Sequence, residues 1–184
     1  MEYCEIGSQD LETIAILSER HLTHGKKILD DIRQHRLMTD YFGVKAVEQD
    51  QIIGFYTCIE GRLEFTLPHP EAEREIRKII GDKKIVTGDT LYVDPAYRGR
   101  GIASELSRRV TEMARKRGGK FFLTEAWIHP DGIVPARKIV PFNGDVVYRK
   151  ILPGFYRDLY KYGMECPICG RDCVCGAEVE LHIL

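Results

Sequence analysis

Four of the six cysteines crowd into one stretch, Cys166-Pro167-Ile168-Cys169-Gly170-Arg171-Asp172-Cys173-Val174-Cys175-Gly176. In a reducing compartment such crowding reads as a metal site before it reads as disulfides. Zn(II) favours four thiolates in a tetrahedron, and Cys-x-x-Cys followed by Gly is a turn that presents two sulfurs to one ion. Cys166, Cys169, Cys173 and Cys175 are therefore the expected ligands. The later spacings are tight, so His182 or Asp172 is a candidate to replace one sulfur. No open coordination position is implied, which makes Zn a structural staple contributing on the order of 10 kcal/mol to local folding. Cys4 and Cys58 stand alone, and His21 and His24 share a helix face without a third ligand.

A second stretch, Val93-Asp94-Pro95-Ala96-Tyr97-Arg98-Gly99-Arg100-Gly101-Ile102-Ala103, joins an expected strand to the start of an amphipathic helix. Such a junction presents unpaired N–H groups and about half a positive charge, which together make an anion site. Gly99 and Gly101 let the main chain approach a bulky anion, and Arg98 and Arg100 add charge. A pyrophosphate fits there. The stretch lacks the Gly-Lys-Ser/Thr of a phosphate-binding loop and the third glycine of a dinucleotide fingerprint.

The elements around these stretches follow from periodicity. Leu11, Ile14, Ala15 and Leu17 to Leu22 form a helical stripe with Ser8 or Asp10 as cap, and Ile28, Leu29, Ile32 and Leu37 suggest a second helix. Phe42 to Glu48 and Ile52 to Leu63 read as strands around a turn at Gln49-Asp50-Gln51. Pro68 and Pro70 open a helix over Glu71 to Ile80, closed by Gly81, and a strand runs from Ile85 to Val93. The clearest helix carries Ile102, Ala103, Leu106, Val110, Met113 and Ala114 on one stripe and ends at Gly118-Gly119. Phe121 to Ile128 reads as a central parallel strand. Ile133 to Phe142 is expected as a helix, Asp145 to Leu152 as a strand, and Ala177 to Ile183 as a closing strand; the aromatic segment Phe155 to Tyr162 has no assigned form.

The 184 residues suit a single domain, 1–184, with the knuckle at 166–176 inserted before the last strand. A formal charge of −1 disfavours nucleic acid and anionic membranes as partners. The longest mostly apolar run, Ile52 to Ile59, is short of the roughly 20 residues a bilayer demands. With Glu2 and Glu5 where an export signal would carry positive charge, a soluble, cytoplasmic protein is expected. A homodimer is compatible with the sequence.

Arg98-Gly99-Arg100-Gly101-Ile102-Ala103 resembles the Arg/Gln-x-x-Gly-x-Gly/Ala signature of the GNAT superfamily of N-acetyltransferases, and the order of elements around it is also similar. The resemblance implies an α/β (α+β) fold: a mixed, central twisted sheet with a V-shaped splay, flanked by helices. It further implies an acetyl-CoA-dependent acyl transfer to an amine of unknown identity. The CoA pyrophosphate would be held by main-chain N–H groups of Arg98, Gly99, Arg100, Gly101, Ile102 and Ala103. The pantetheine arm would run along Leu91, Tyr92 and Val93, beside a gap between that strand and Phe121 to Ile128.

An amine of pKa about 10.4 costs roughly 4 to 5 kcal/mol to deprotonate at pH 7, and a carboxylate is the usual answer. Asp89, on the face of Leu91 and Val93, and Glu125, on the face of Leu123 and Trp127, are the candidates. Both are acids inside apolar strands, where burial raises the pKa. Relatives often carry a tyrosine acid in the helix after the second central strand. The region Ala136 to Gly144 here has none. Tyr148 is the first substitute, with Tyr156 and Tyr160 as others. The alternative is a CoA-binding or protein-binding module of the same fold without turnover.

Overall fold

The computed structural model describes residues 1–25, 30, 39–138 and 144–184. Strands Glu2–Glu5 (β1), Tyr41–Glu48 (β2), Gln51–Glu60 (β3), Ile85–Val93 (β4), Phe121–Ile128 (β5), Asp145–Leu152 (β6) and Gly176–Ile183 (β7) form one mixed sheet. Its order is β1-β2-β3-β4-β5-β7-β6. All pairs are antiparallel except β4 and β5, which are parallel and joined by a helical crossover. The β2–β3 turn puts Gln49 and Asp50 at positive φ, 50° and 61°, the geometry that matches the twist of a two-residue hairpin.

Leu11–His21 (α1) buries Leu11, Ile14 and Ala15 against Phe55 and Tyr92 on one face of the sheet. Pro70–Ile80 (α2) starts where His69 Nδ1 accepts from the Ala72 N–H at 3.2 Å. It packs Ile76 and Ile80 with Ile85, Leu123 and Leu181. Ile102–Lys116 (α3) lies across the opposite face, its stripe of Ile102, Leu106, Val110 and Ala114 fully buried with Val44, Val86 and Phe122. Each large side chain in that stripe contributes about 1.5–3 kcal/mol by leaving water. The expected helix over Ile28 to Leu37 lies largely outside the described residues. Of the helix expected over Ile133 to Phe142, the described part forms only a short 3-10 turn, Pro135–Lys138, since Pro135 supports no more than a first turn. Phe155–Tyr162 is a 3-10 segment between two left-handed glycines.

Two irregularities shape the centre of the sheet. Only Ile85, Val86 and Thr87 of β4 pair with β5, opposite Phe121, Phe122 and Leu123. Beyond them the strands diverge, which is the splay expected from the resemblance. On its other side β4 carries a bulge: Cys58 pairs with Gly88 and Thr57 with Thr90, leaving Asp89 as the extra residue. The bulge reverses the alternation, so Leu91 and Val93 pack toward α3 while Tyr92 packs toward α1.

Candidate active site and cysteine cluster

β4 ends at Val93, and Asp94 Oδ1 caps the following 3-10 turn, Pro95–Tyr97, by accepting from Ala96 N–H at 2.8 Å. Gly99 and Gly101 sit at φ +79° and +77°, left-handed values that side chains with a Cβ rarely adopt. A Cβ at either position would meet no atom within 4 Å, so both Cα atoms border open space. Gly101 is the N-cap of α3 and no side chain caps the helix there. Its first N–H groups, of Ile102, Ala103 and Ser104, have no carbonyl one turn earlier in the helix to receive them. The side chain of Ile102 is buried in the core, so this residue has only main chain to offer a ligand. The arginines behave differently from the sequence expectation. Arg98 Nε donates to Val93 O at 3.1 Å, and Arg100 forks onto Glu48 at 3.0 and 3.3 Å while lying 5.2 Å from the Tyr97 ring centre. Glu48, held below the usual carboxylate range by that hydrogen bond, neutralises Arg100. What the corner offers without a partner of its own is main chain at the start of α3.

The bulge also decides where Asp89 goes. The expectation that it shares a face with Leu91 and Val93 is corrected: Asp89 Oδ2 accepts from Thr57 Oγ1 at 2.8 Å and from Thr90 Oγ1 at 3.3 Å. Thr57 follows Phe55 on the α1 face, the face that also carries Leu123 and Glu125. Glu125 stands beyond the last β4–β5 pair, at the lip of the splay. Its Oε1 accepts from Tyr156 Oη at 2.5 Å and its Oε2 from Thr66 N–H at 3.0 Å. Burial raises the Glu125 pKa, the two donors oppose that rise, and the charge of Asp89 adds to it. The two acids are thus near enough to repel. Burial, then the Glu125 carboxylate, pushes Tyr156 well above the usual phenol value.

Tyr148 is engaged elsewhere: its hydroxyl donates to Glu75 Oε2 of α2 at 2.6 Å, beside Lys150 Nζ on the same carboxylate at 3.0 Å. Tyr160 is more exposed and lies under the Arg171 guanidinium, 4.7 Å from it. The tyrosine that reaches Glu125 is Tyr156. The aromatic content of its segment is the only sequence signal for it. Tyr92 turns its ring away from the α3 side, stacking 5.3 Å from His21. A cleft of about 340 Å³ is lined by His24, Gly25, Tyr160, Gly163, Met164, Glu165 and Arg171, where the main chains of His24 and Glu165 pair through hydrogen bonds of 3.1 and 2.7 Å.

The four cysteine Sγ atoms lie within 4.8 Å of one another. Cys166 to Cys175 is 3.9 Å and Cys169 to Cys175 is 3.6 Å. A tetrahedral ion with metal–sulfur bonds of about 2.3 Å sets sulfurs about 3.8 Å apart. A disulfide would need about 2.05 Å, and all four thiols are free. The Cys169 N–H points at Cys166 Sγ (3.3 Å) and Gly170 N–H closes the turn on Cys166 O (2.8 Å). Burial pushes Cys173 up to about 11 and Cys175 higher still, while the Val174 main chain holds Cys169 below the ordinary thiol value. The donor set, its spacing and its burial fit Zn(II). His182 is excluded from it, lying fully buried near the far end of β7 with its ring Nδ1 3.0 Å from Gly144 O. The expectation that His21 and His24 share a helix face is corrected: α1 ends at His21, which stacks on Tyr92, while His24 lies beyond it in a bridge with Glu165, its Nδ1 2.8 Å from Glu19 O.

β4 and β5 pair in parallel over three residues and are joined through α3, which opens at Gly101. The family model of the acetyltransferase (GNAT) family matches residues 10–132, and the chain belongs to that family. Among solved structures, NAA60 of Arabidopsis thaliana in complex with acetyl-CoA aligns with a TM-score of 0.66 at 17% identity, covering 100% of this chain and 98% of that one. The ribosomal-protein-alanine N-acetyltransferase of Brucella melitensis aligns at 0.62 and 14%, covering all of both chains. Aminoglycoside 6'-acetyltransferase type Ii aligns at 0.62 and 15%, with 100% and 97% covered. At these identities the likeness establishes the fold. No curated protein sequence matches the chain significantly. Among the described residues, no helix is long and apolar enough to cross a membrane.

Proposed function

We propose that the protein transfers the acetyl group of acetyl-CoA to an amine by direct attack on the thioester, with Zn(II) as a structural ion on Cys166, Cys169, Cys173 and Cys175. The observation that carries the reading is the bulge at Asp89, which turns this acid onto the face of Glu125 where β4 leaves β5. A CoA pyrophosphate is received by the N–H groups from Gly99 to Ser104. The pantetheine arm lies along the β4 edge from Gly88 to Val93, whose main chain has no β5 partner. That delivers the thioester to the bulge.

Two carboxylates there suit a cationic acceptor, and Glu125, lifted by burial, is the better base. It takes a proton from the ammonium, directly or through water. The free amine then bonds to the thioester carbonyl carbon and the C–S bond breaks. The nitrogen passes its second proton to the departing thiolate, whose thiol has an ordinary pKa of about 8.5, and Glu125 returns the first proton to water. Zn(II), when bound, would cross-link the irregular connection between β6 and β7. Similar structures include both a ribosomal-protein-alanine and an aminoglycoside acetyltransferase, so the fold serves protein and small-molecule amines alike.

A second reading, a CoA-binding module without turnover, is favoured by one feature: both Glu125 oxygens already accept from Tyr156 and Thr66. Thiol release across an amine panel separates the two. Turnover that Glu125→Gln and Asp89→Asn each reduce supports the first. Acetyl-CoA binding without turnover supports the second.

A further inference from the structure

The four-thiol cluster does not stand apart from Glu125. Cys175 O accepts from Tyr156 N–H at 3.2 Å, and the Tyr156 hydroxyl donates to Glu125 Oε1 at 2.5 Å. Trp127, two residues beyond Glu125 on the same face of β5, sets its ring 5.6 Å from that of Tyr156. Its indole nitrogen is buried without a nitrogen or oxygen partner and lies against Cys175 Sγ. Cys166, Cys173, Cys175, Tyr156 and Trp127 belong to one packed cluster.

Tyr156 itself sits in a 3-10 segment entered through Gly154 at φ +62°. Such segments hold their own shape weakly. Its main-chain N–H is anchored on a ligand-bearing residue rather than on a strand.

From these contacts we propose that the four-cysteine metal centre is the positioning support of Glu125, acting through Tyr156. A metal that draws in Cys173 and Cys175 fixes the Cys175 carbonyl. The carbonyl fixes Tyr156, and the Tyr156 hydroxyl keeps the Glu125 carboxyl aimed and ionised at the splay. Loss of the metal, or oxidation of the thiols by an added oxidant, frees the segment and withdraws that donor. Tyr156 is a positioning residue here, and the Glu125 carboxylate is what it positions. The groups that face Glu125 are Asp89 from β4, Thr66 N–H from the loop after β3 and Tyr156; its partner on β7, Val179, does not titrate. Withdrawing Tyr156 removes one of the two donors that oppose burial, so the Glu125 midpoint moves further up.

This inference rests on the metal assignment proposed above, and its test does not require turnover. The full chain is prepared loaded with Zn(II), stripped by a chelator, and as Tyr156→Phe in the loaded form. Three quantities are read: Zn per chain by native mass spectrometry, the emission of Trp127, which is the single tryptophan of the chain, and the midpoint of the Glu125 carboxyl by 13C NMR, assigned with Glu125→Gln.

The expected result is that stripping changes the Trp127 emission and raises the Glu125 midpoint. Tyr156→Phe raises that midpoint while keeping its Zn, and stripping Tyr156→Phe adds little. On an active amine both changes lower kcat about tenfold at neutral pH, the scale of a lost hydrogen bond to a charged group, with acetyl-CoA affinity held within about twofold. A loaded Tyr156→Phe protein with the wild-type midpoint overturns the inference. So does a stripped Tyr156→Phe protein that shifts as far as stripped wild type, or a chain that takes up no Zn. If the stripped protein fails to fold, the loaded Tyr156→Phe comparison still tests the last link, and a wild-type midpoint there overturns the inference. An inactive chain with the expected midpoints refutes the proposed turnover and leaves this positioning role standing.

Discussion

Replacing Gly101 by valine tests the main-chain anion site, because the structure separates its two consequences. Gly101 holds φ +77° and a Cβ there meets nothing within 4 Å, so the folded-state cost is conformational rather than steric. A left-handed non-glycine residue costs about 1–2 kcal/mol. At about 2–4 °C per kcal/mol for a chain of this size, Tm falls by about 2–8 °C. The second consequence is at the ligand. The open space that accepts the new side chain is the space a diphosphate would occupy against the N–H groups of Ile102 and Ala103. Acetyl-CoA at a hundred times its Kd stabilises a single-site protein by about 2.7 kcal/mol, or about 5–11 °C on the same scale. Thermal shift with and without acetyl-CoA should therefore show that upward step in wild type, and a lower baseline with no step in Gly101→Val. A variant that loses the few degrees of baseline yet keeps the whole ligand step would show that the cofactor does not sit at the start of α3.

Glu125→Gln should lower kcat by about 10²–10⁴, the range for a lost general base, with the acetyl-CoA KM little changed in steady-state thiol release. The same variant has a stability signature. The folded-state pKa of Glu125 is raised, so between the ordinary glutamate value and the raised one the folded state holds more protons than the unfolded state, and stability falls as pH climbs through that window. Glu125→Gln should therefore gain Tm relative to wild type at pH 8 and not at pH 4, and equal differences at both pH values would refute the assignment of the burial effect. Leu106→Ala removes a fully buried side chain beneath α3 and should cost about 2–5 kcal/mol in denaturant unfolding. Cys175→Ser should lose the metal by native mass spectrometry, and a variant that keeps full Zn occupancy would remove Cys175 from the ligand set.

What local order sets, the sequence determines alone. The apolar stripe of α3 recurs with the helical period, the two glycines stand where the chain must turn from strand to helix, and four cysteines within ten residues cannot separate far. These features need no knowledge of what lies across the molecule. The placement of Asp89 is of another kind. Its face depends on a register slip between β3 and β4, and one extra residue in a strand reverses every side chain beyond it. Arg100 reads as a free charge until Glu48, fifty-two residues earlier, takes it. Tyr148 and Tyr156 are equivalent as tyrosines on the page. Only tertiary packing sends one to Glu75 and the other to Glu125, because the hydrogen bond each finds belongs to a chain segment distant in sequence. Periodicity and spacing act over one or two turns, whereas the acid, its phenol and the cysteine centre behind them meet only when strands β4, β5 and β7 and the segment before Cys166 close on one another.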